Sequence, residues 1–178
     1  MSRNVICISR TIGAAGEELG KVVADKLRYR YIDDELVARA AEIAGISPEA
    51  IAESEQSEEG SIYAASIEQA IRETAEQGDV VIVAHGASIP LAGVAGVLRV
   101  FVTASPESRA RRLAEIDATD GASALKAVGE SDAARARYLE RFYGVKQEAP
   151  TNYDVTVNTD TMPIEQAGRL VVQAALTL

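Results

Sequence analysis

Five short stretches of the chain combine apolar with β-branched residues and end in polar or glycine-containing turns. A buried β-strand has this length and this pattern. The clearest stretch is 79–84, in which every residue after Asp79 is apolar, as is typical of a strand covered on both faces. The pattern therefore predicts five strands, at 4–9, 28–32, 79–84, 97–103 and 153–158.

Between these stretches, apolar residues recur at spacings of three and four, which is the period of an amphipathic helix. Start signals predict further helices after Asp33 and Asp34, after Ser47 and Pro48, and after Ser105 and Pro106. Strands that alternate with helices favour an α/β fold, with a mainly parallel sheet and helices on both of its faces. The periodic segments are 16–28, 61–77, 120–146 and 163–176.

The charge distribution narrows the class of ligand. The 178 residues include 18 Lys and Arg against 27 Asp and Glu, and the net charge of −9 argues against a nucleic-acid polymer as partner. Half of the basic residues nevertheless lie within 99–146, whereas 49–79 carries nine acids and one arginine. A few converging guanidinium groups suffice to hold a phosphate. We therefore expect a small-molecule nucleotide or phosphate as the ligand.

Cysteine content and hydropathy bear on the compartment. The only cysteine, Cys7, permits neither an internal disulfide nor a zinc site built on two thiolates. No apolar run approaches the roughly 18 residues of a membrane-spanning helix, and the first apolar run is too short for a signal peptide. We expect a cytoplasmic protein without membrane association, in which Cys7 lies inert inside a strand.

The strongest local signal lies between the first strand and the first helix. Small residues there let backbone amides close around an anion, and a helix N-terminus adds partial positive charge. The segment lacks the lysine and hydroxyl of the G-x-x-x-x-G-K-[ST] pattern, because Glu17 and Glu18 follow Gly16. A turn without any ligand is the alternative interpretation. The predicted phosphate-binding residues are Arg10, Gly13, Ala14, Ala15, Gly16, Glu17 and Glu18.

Several further motifs follow this loop in a fixed order. Together they resemble the cytidylate-kinase-like family of P-loop NTPases, and the resemblance covers nearly the whole chain. It rests on the order and spacing of the motifs, with the segments 135–144 and 152–159 the most distinctive. The motifs are Gly13-Ala-Ala-Gly16, Tyr31-Ile-Asp33-Asp-Glu-Leu36, His85-Gly86-Ala87, Val100-Phe-Val-Thr-Ala-Ser105, Arg135-Ala-Arg137-Tyr-Leu-Glu-Arg-Phe-Tyr143-Gly and Asn152-Tyr-Asp154 with Asn158-Thr159.

The resemblance implies a three-layer P-loop fold in one domain, 1–178, with a nucleoside-monophosphate-binding segment at about 33–78 and a basic helical lid at about 105–148. It implies transfer of the γ-phosphoryl group of ATP, with Mg²⁺, to a nucleoside monophosphate or similar small acceptor. The catalytic residues that it implies are Arg10, Arg109, Arg112, Arg135 and Arg137, with Arg141 also in the lid. The acceptor-binding residues are Asp33, Asp34, Arg39, His85 and Gly86.

Two other functions stay open at this point. The missing loop lysine favours a catalytically silent nucleotide- or phosphate-binding protein on the same fold. A glycine loop followed by an acid about 20 residues later favours a dinucleotide-binding oxidoreductase. Structural interpretations also stand beside the functional ones: Asp33 and Asp34 as helix caps, His85 as a packing residue, and the lid arginines as a solvated face. The sequence assigns no metal ligand and no oligomeric state.

Overall fold

The computed structural model describes residues 4–33, 36, 39–40, 42–43, 45, 58–84, 86–146 and 148–177. Within these residues, strands and helices alternate along the chain as the sequence predicts. The strands are β1 Val5–Arg10, β2 Arg30–Ile32, β3 Val80–Val83, β4 Val97–Thr103 and β5 Val155–Asn158. The helices are α1 Gly16–Leu27, α2 Glu58–Glu76, α3 Pro106–Asp117, α4 Gly121–Tyr143 and α5 Ile164–Ala175, with a short 3₁₀ turn at Pro150–Asn152.

The five strands form one sheet in the order β2-β3-β1-β4-β5, and every neighbouring pair is parallel. The central strand β1 aligns Val5 with Val80 on one side and with Val97 on the other. This confirms the predicted parallel sheet. It also separates the fold from the dinucleotide-binding order, in which the second strand lies beside the first, because here β3 lies between β1 and β2.

The core has two apolar layers, one on each face of the sheet. Successive side chains of a strand point to opposite faces. Accordingly, Ile6 and Ile8 of β1 pack with the buried residues of α1 and α5, while Val5 and Cys7 pack with those of α2. Helices therefore cover both faces, which confirms the three-layer α/β architecture and explains why β3 is apolar throughout.

Two predicted boundaries differ from the observed ones for local reasons. The predicted strand at 28–32 begins at Arg30, because Arg28 adopts the left-handed conformation with φ of 58° and its amide ends α1 by donating to Ala24 O and Asp25 O. The last strand begins at Val155, because Asp154 turns its carboxylate towards Arg99 of β4. The prediction of a helix after Ser47 and Pro48 lies outside the described residues.

The helices of the predicted lid segment follow β4. Ser105 caps α3, since its Oγ accepts from the Ser108 amide at 3.3 Å, and Asp120 caps α4 by accepting from the amides of Ala122 and Ser123. Ala110, Ala124 and Val128 form a small apolar cluster of their own. The two helices confirm the expected secondary structure, and movement of this pair as a lid stays a prediction. None of the described helices is long and apolar enough to cross a membrane.

Candidate functional site

The loop between β1 and α1 has a backbone that only small residues accommodate. Gly13 has φ of 73° and Ala15 has φ of 62°, both in the left-handed region. A Cβ atom on Gly13 would also lie 2.8 Å from the Arg109 carbonyl oxygen, because the first turn of α3 packs on the loop. Glycine is therefore required at position 13 by the conformation of the loop and by its contact with α3.

The carbonyl groups of this loop are held from behind. Ala14 O accepts from Thr159 Oγ1 at 2.9 Å, and Gly13 O accepts from Arg112 Nη1 at 3.1 Å. Arg112 also donates to Thr159 Oγ1 at 3.0 Å and to the Thr159 carbonyl. In a trans peptide the next amide points opposite to the carbonyl. The Ala15 amide therefore points away from Thr159 and towards the open side of the loop.

The start of α1 offers additional donors on that open side. Its N-cap residue, Ala15, has no side chain that can cap, and no backbone carbonyl in the described ranges accepts from the amides of Gly16, Glu17 or Glu18. Uncapped amides and the helix dipole together favour an anion at such a position. These uncapped amides and the helix dipole make this end of α1 suitable for an anion, and phosphate binding by the loop stays a prediction.

Arg10 and Glu17 form an ion pair across the mouth of the loop. Glu17 Oε1 accepts from Arg10 Nε at 2.6 Å and lies 2.5 Å from Nη2. The Arg10 stem lies over Gly16, where a Cβ atom would come within 2.4 Å of Arg10 Cγ. The Glu17 carboxylate thus sits at the loop position that carries lysine in the usual pattern, and a guanidinium group restores positive charge beside it.

Residues of this loop and of α3 line a cleft of about 180 Å³. Arg10 and Arg112, two of the predicted catalytic residues, both reach it. Because the side chain of Glu18 is exposed at the start of α1, a cation held against a bound phosphate would find a carboxylate there. The lining residues are Arg10, Ile12, Gly13, Ala15, Glu17, Glu18, Arg112, Leu113 and Ile116.

Arg109 and Arg137 lie elsewhere. Arg109 does not line the cleft, and its buried guanidinium is bonded to other elements: Nη1 and Nη2 donate to the Asp132 carboxylate at 2.8 and 2.7 Å, and Nε donates to Ala104 O at 3.1 Å. Arg137 is exposed on α4. A direct catalytic role for these two stays a prediction, and the geometry of Arg109 shows a residue that joins α3 to α4.

A second cavity, of about 240 Å³, adjoins the loop at Thr11. It contains Arg135, another predicted catalytic residue, whose Nε and Nη2 donate to the Glu148 carboxylate at 2.8 and 2.6 Å. Tyr153 donates its hydroxyl proton to the same carboxylate. The lining residues are Thr11, Asp132, Arg135, Ala136, Leu139, Val145, Lys146 and Glu148.

The predicted acceptor residues are only partly described. Asp33 directly follows β2, while Asp34 and His85 lie outside the described residues. Arg39 is exposed and donates to Glu42 at 2.8 Å and to Glu73 at 3.5 Å, and the hydrogen bond to Glu42 raises its pKa. Gly86 has φ of 69° and faces Leu139 of α4. Acceptor binding by these residues stays a prediction.

The partners that hold these groups come from other elements. Thr159 holds the loop, Asp132 holds Arg109, and Glu148 with Tyr153 holds Arg135. The sequence indicated Thr159 through the Asn158-Thr159 motif, and Asp132 only as one of several acids that could pair with the lid arginines on a solvated face. Sequence reasoning missed Glu148 and Tyr153, because nothing near them in the sequence indicates Arg135 as their partner. No group of three or more potential metal ligands occurs among the residues for which side chains are described.

Comparisons with known proteins agree with this geometry. A cytidylate kinase from Sulfurisphaera tokodaii is 24% identical over 169 residues, covering 94% of this chain and 92% of the relative. A crystal structure of an uncharacterized protein from Eubacterium ventriosum superposes with a TM-score of 0.79 at 20% identity, covering 98% of this chain and 99% of that one. A shikimate kinase from Bacteroides thetaiotaomicron has a TM-score of 0.64 at 22% identity, covering 98% of each chain.

The structural likenesses show the fold of P-loop kinases, with its sheet order and its loop after the first strand. The sequence profile of one family, described as Cytidylate kinase-like, matches residues 5–161 and so includes the loop, Arg112, Arg135 and Thr159. The chain belongs to the cytidylate kinase-like family.

Proposed function

We propose that this protein transfers the γ-phosphoryl group of ATP to a nucleoside monophosphate or a similar small acceptor. The observation that carries the proposal is the loop at 11–16. Its carbonyls are held from behind by Arg112 and Thr159, while the amides at the start of α1 have no carbonyl partner among the described residues. The relative named cytidylate kinase supports a cytidine nucleotide as the first acceptor to test.

Phosphoryl transfer depends on positioning and on neutralising charge more than on side-chain acid–base chemistry. The loop amides would hold the β- and γ-phosphate oxygens of ATP, and Arg10 would supply the positive charge that the loop lysine supplies elsewhere. An acceptor phosphate oxygen then bonds to the γ-phosphorus as the bond to the β,γ-bridging oxygen breaks, and ADP leaves. Bound Mg²⁺ would neutralise charge on the phosphates, and the carboxylate of Glu17 or Glu18 would hold it.

One observation favours a second candidate, a protein that binds the nucleotide without turnover. The Arg10 guanidinium is already engaged by Glu17 at 2.5–2.6 Å. The Glu17 carboxylate partly neutralises the Arg10 guanidinium, so Arg10 attracts an anionic ligand less strongly. If ATP does not draw Arg10 away from Glu17, phosphates bind to the amides alone and the γ-phosphoryl group lacks a neutralising partner.

The test combines binding and turnover. Thermal unfolding is measured with ATP, CMP, inorganic phosphate and NAD, and ADP formation is measured with ATP, Mg²⁺ and CMP or other monophosphates. A ligand at 100 times its Kd stabilises the folded state by about 2.7 kcal/mol. We expect ATP to stabilise the protein, and Arg10→Ala to reduce turnover by about 100-fold, as the loss of one transition-state donor does.

Lys26→Ala is the matched control. It removes a cation from the opposite end of α1, where Lys26 pairs with Glu165 at 3.1 Å, and turnover should be unchanged. ATP binding without ADP formation for every acceptor would select the silent candidate. A thermal response to NAD alone would contradict both functions.

A further inference from the structure

The Arg135 side chain is buried, with 7% of its surface exposed, but only part of its guanidinium group is satisfied. Nε and Nη2 are bonded to Glu148, whereas Nη1 is buried and has no hydrogen-bond partner in the described part of the chain. A buried, unpaired donor on a charged group is costly unless something binds to it. Arg135 also lines the 240 Å³ cavity beside Thr11.

Glu148 determines how this guanidinium is oriented. The group is planar, so two parallel hydrogen bonds from Nε and Nη2 to one carboxylate fix the direction of the third nitrogen. Glu148 is itself held, because Tyr153 donates its hydroxyl proton to the same Oε1 that accepts from Arg135 Nη2. Burial, helped by the bond to Glu148, raises the pKa of Tyr153 to about 12, so the phenol keeps the proton it donates.

The aromatic side chains beside this network add rigidity. The Tyr153 ring stacks on Phe101 of β4 with centroids 4.9 Å apart, and the Arg135 guanidinium carbon lies 5.9 Å from the Phe101 centroid. Burial lowers the pKa of Arg135, but its hydrogen bonds to Glu148 and the carboxylate charge outweigh that effect, so the net shift is upward. Arg135 therefore stays positively charged, with Nη1 as its unpaired nitrogen.

We propose that Glu148, held by Tyr153, is a positioning residue that holds the Arg135 guanidinium at the wall of this cavity and leaves Nη1 unpaired, as the donor for an anionic oxygen of the ligand. Nη1 is covered by surrounding atoms in this structure, so a ligand that contacts it must displace them. The proposal deepens the proposed function, on which it rests for the class of ligand, an anionic small molecule bound beside the loop. Ala136, Leu139 and Val145 supply an apolar wall, and Lys146 a second cation. The cavity is thus suited to a ligand with a phosphate or carboxylate attached to an apolar or ring-containing part.

The test measures the affinity of the full chain for CMP, for cytidine and for inorganic phosphate by calorimetry. Glu148→Gln keeps the size of the side chain but cannot accept from both nitrogens of Arg135. It should weaken CMP binding about tenfold to a hundredfold, which is the range for losing one charge-assisted hydrogen bond. Tyr153→Phe leaves the ion pair in place and should weaken CMP binding less. Cytidine, which has no phosphate, should respond to neither substitution.

Two comparisons separate a positioning role from a structural one. Asp154→Asn breaks another bidentate ion pair, with Arg99, and neither residue lines the cavity; it should lower stability and leave CMP affinity unchanged. The double variant Arg135→Met/Glu148→Gln should bind CMP no more weakly than Arg135→Met alone, because Glu148 acts through Arg135. Additive losses in the double variant, or equal affinity of Glu148→Gln and the unchanged chain, would overturn the proposal.

Failure of the proposed function would look different. If CMP and phosphate bind in a Glu148-dependent way while ATP neither binds nor turns over, phosphoryl transfer is wrong and the positioning role stands. If ATP turnover is observed and neither CMP nor phosphate affinity depends on Glu148, the positioning role is wrong and phosphoryl transfer stands.

Discussion

Replacing Asp132 with alanine tests the ion pair between α3 and α4. The variant removes both partners of the two terminal nitrogens of Arg109, whose side chain is 4% exposed, and leaves only the bond from Nε to Ala104 O. Breaking a buried pair from one side costs about 3 to 5 kcal/mol. The Asp132 side chain is 40% exposed, so water can reach the stranded nitrogens, and we expect about 2 to 3 kcal/mol.

Urea unfolding of the full chain is the assay, with the midpoint read at constant m-value. The expected loss corresponds to a fall in Tm of about 4 to 12 °C for a chain of this length. Glu130→Ala, on the same helix, removes only an exposed pair with Lys126 and should cost about 0.3 to 0.5 kcal/mol.

Arg109→Met/Asp132→Ala removes the stranded charge as well and should be more stable than Asp132→Ala alone. The argument for the buried pair is refuted if Asp132→Ala lies within 0.5 kcal/mol of the unchanged protein, or if the double variant shows the sum of the single losses.

Three other outcomes are expected. Gly13→Ala should destabilise by about 1 to 3 kcal/mol in urea unfolding, and more than Gly93→Ala, which has a similar positive φ but open space around it; equal losses would contradict the contact with Arg109 O. Arg99 holds the pKa of Asp154 below its usual value, so this pair stabilises the fold above about pH 4, and its contribution disappears as the pH falls further. The free energy of unfolding of Asp154→Asn should therefore vary less with pH over that range, and the same pH dependence in both proteins would contradict this role of the pair. Burial raises the pKa of Cys7 to about 12, so iodoacetamide at pH 8 should label it only upon unfolding, and labelling of the native protein at the rate of a free peptide thiol would show otherwise.

The centre of the sheet could be predicted from the sequence because β1 and β3 are short, largely apolar and buried on both faces. In such a strand the run of apolar residues directly indicates burial on both faces, as it does at 79–84. One boundary error came from Arg28, whose left-handed conformation ends α1, and the other from a residue whose partner lies on another strand. That residue, Asp154, reads as part of a strand until its bond to Arg99 is seen.

The candidate site was predictable only where the signal is local. Gly13 and Gly16 indicate a tight turn from the sequence alone, and a Cβ atom at either position would clash with a neighbouring residue. The basic character of 105–141 was also visible, but the use of each arginine was not. An arginine that contacts a ligand and one that pairs with Asp132 or Glu148 have the same sequence pattern. Only the tertiary structure, which brings each carboxylate to its arginine, distinguishes them.

The hydrogen bonds that Thr159 and Arg112 donate to the loop carbonyls also bear on the order of events in folding. Ala14 takes its carbonyl partner from Thr159, which is 145 positions further along, and Gly13 takes its partner from Arg112, 99 positions away. During synthesis this loop is made before either partner residue. Its two supporting hydrogen bonds can therefore form only after the chain has been extended past Arg112 and Thr159, and a chain truncated before residue 159 would lack the contact to Ala14.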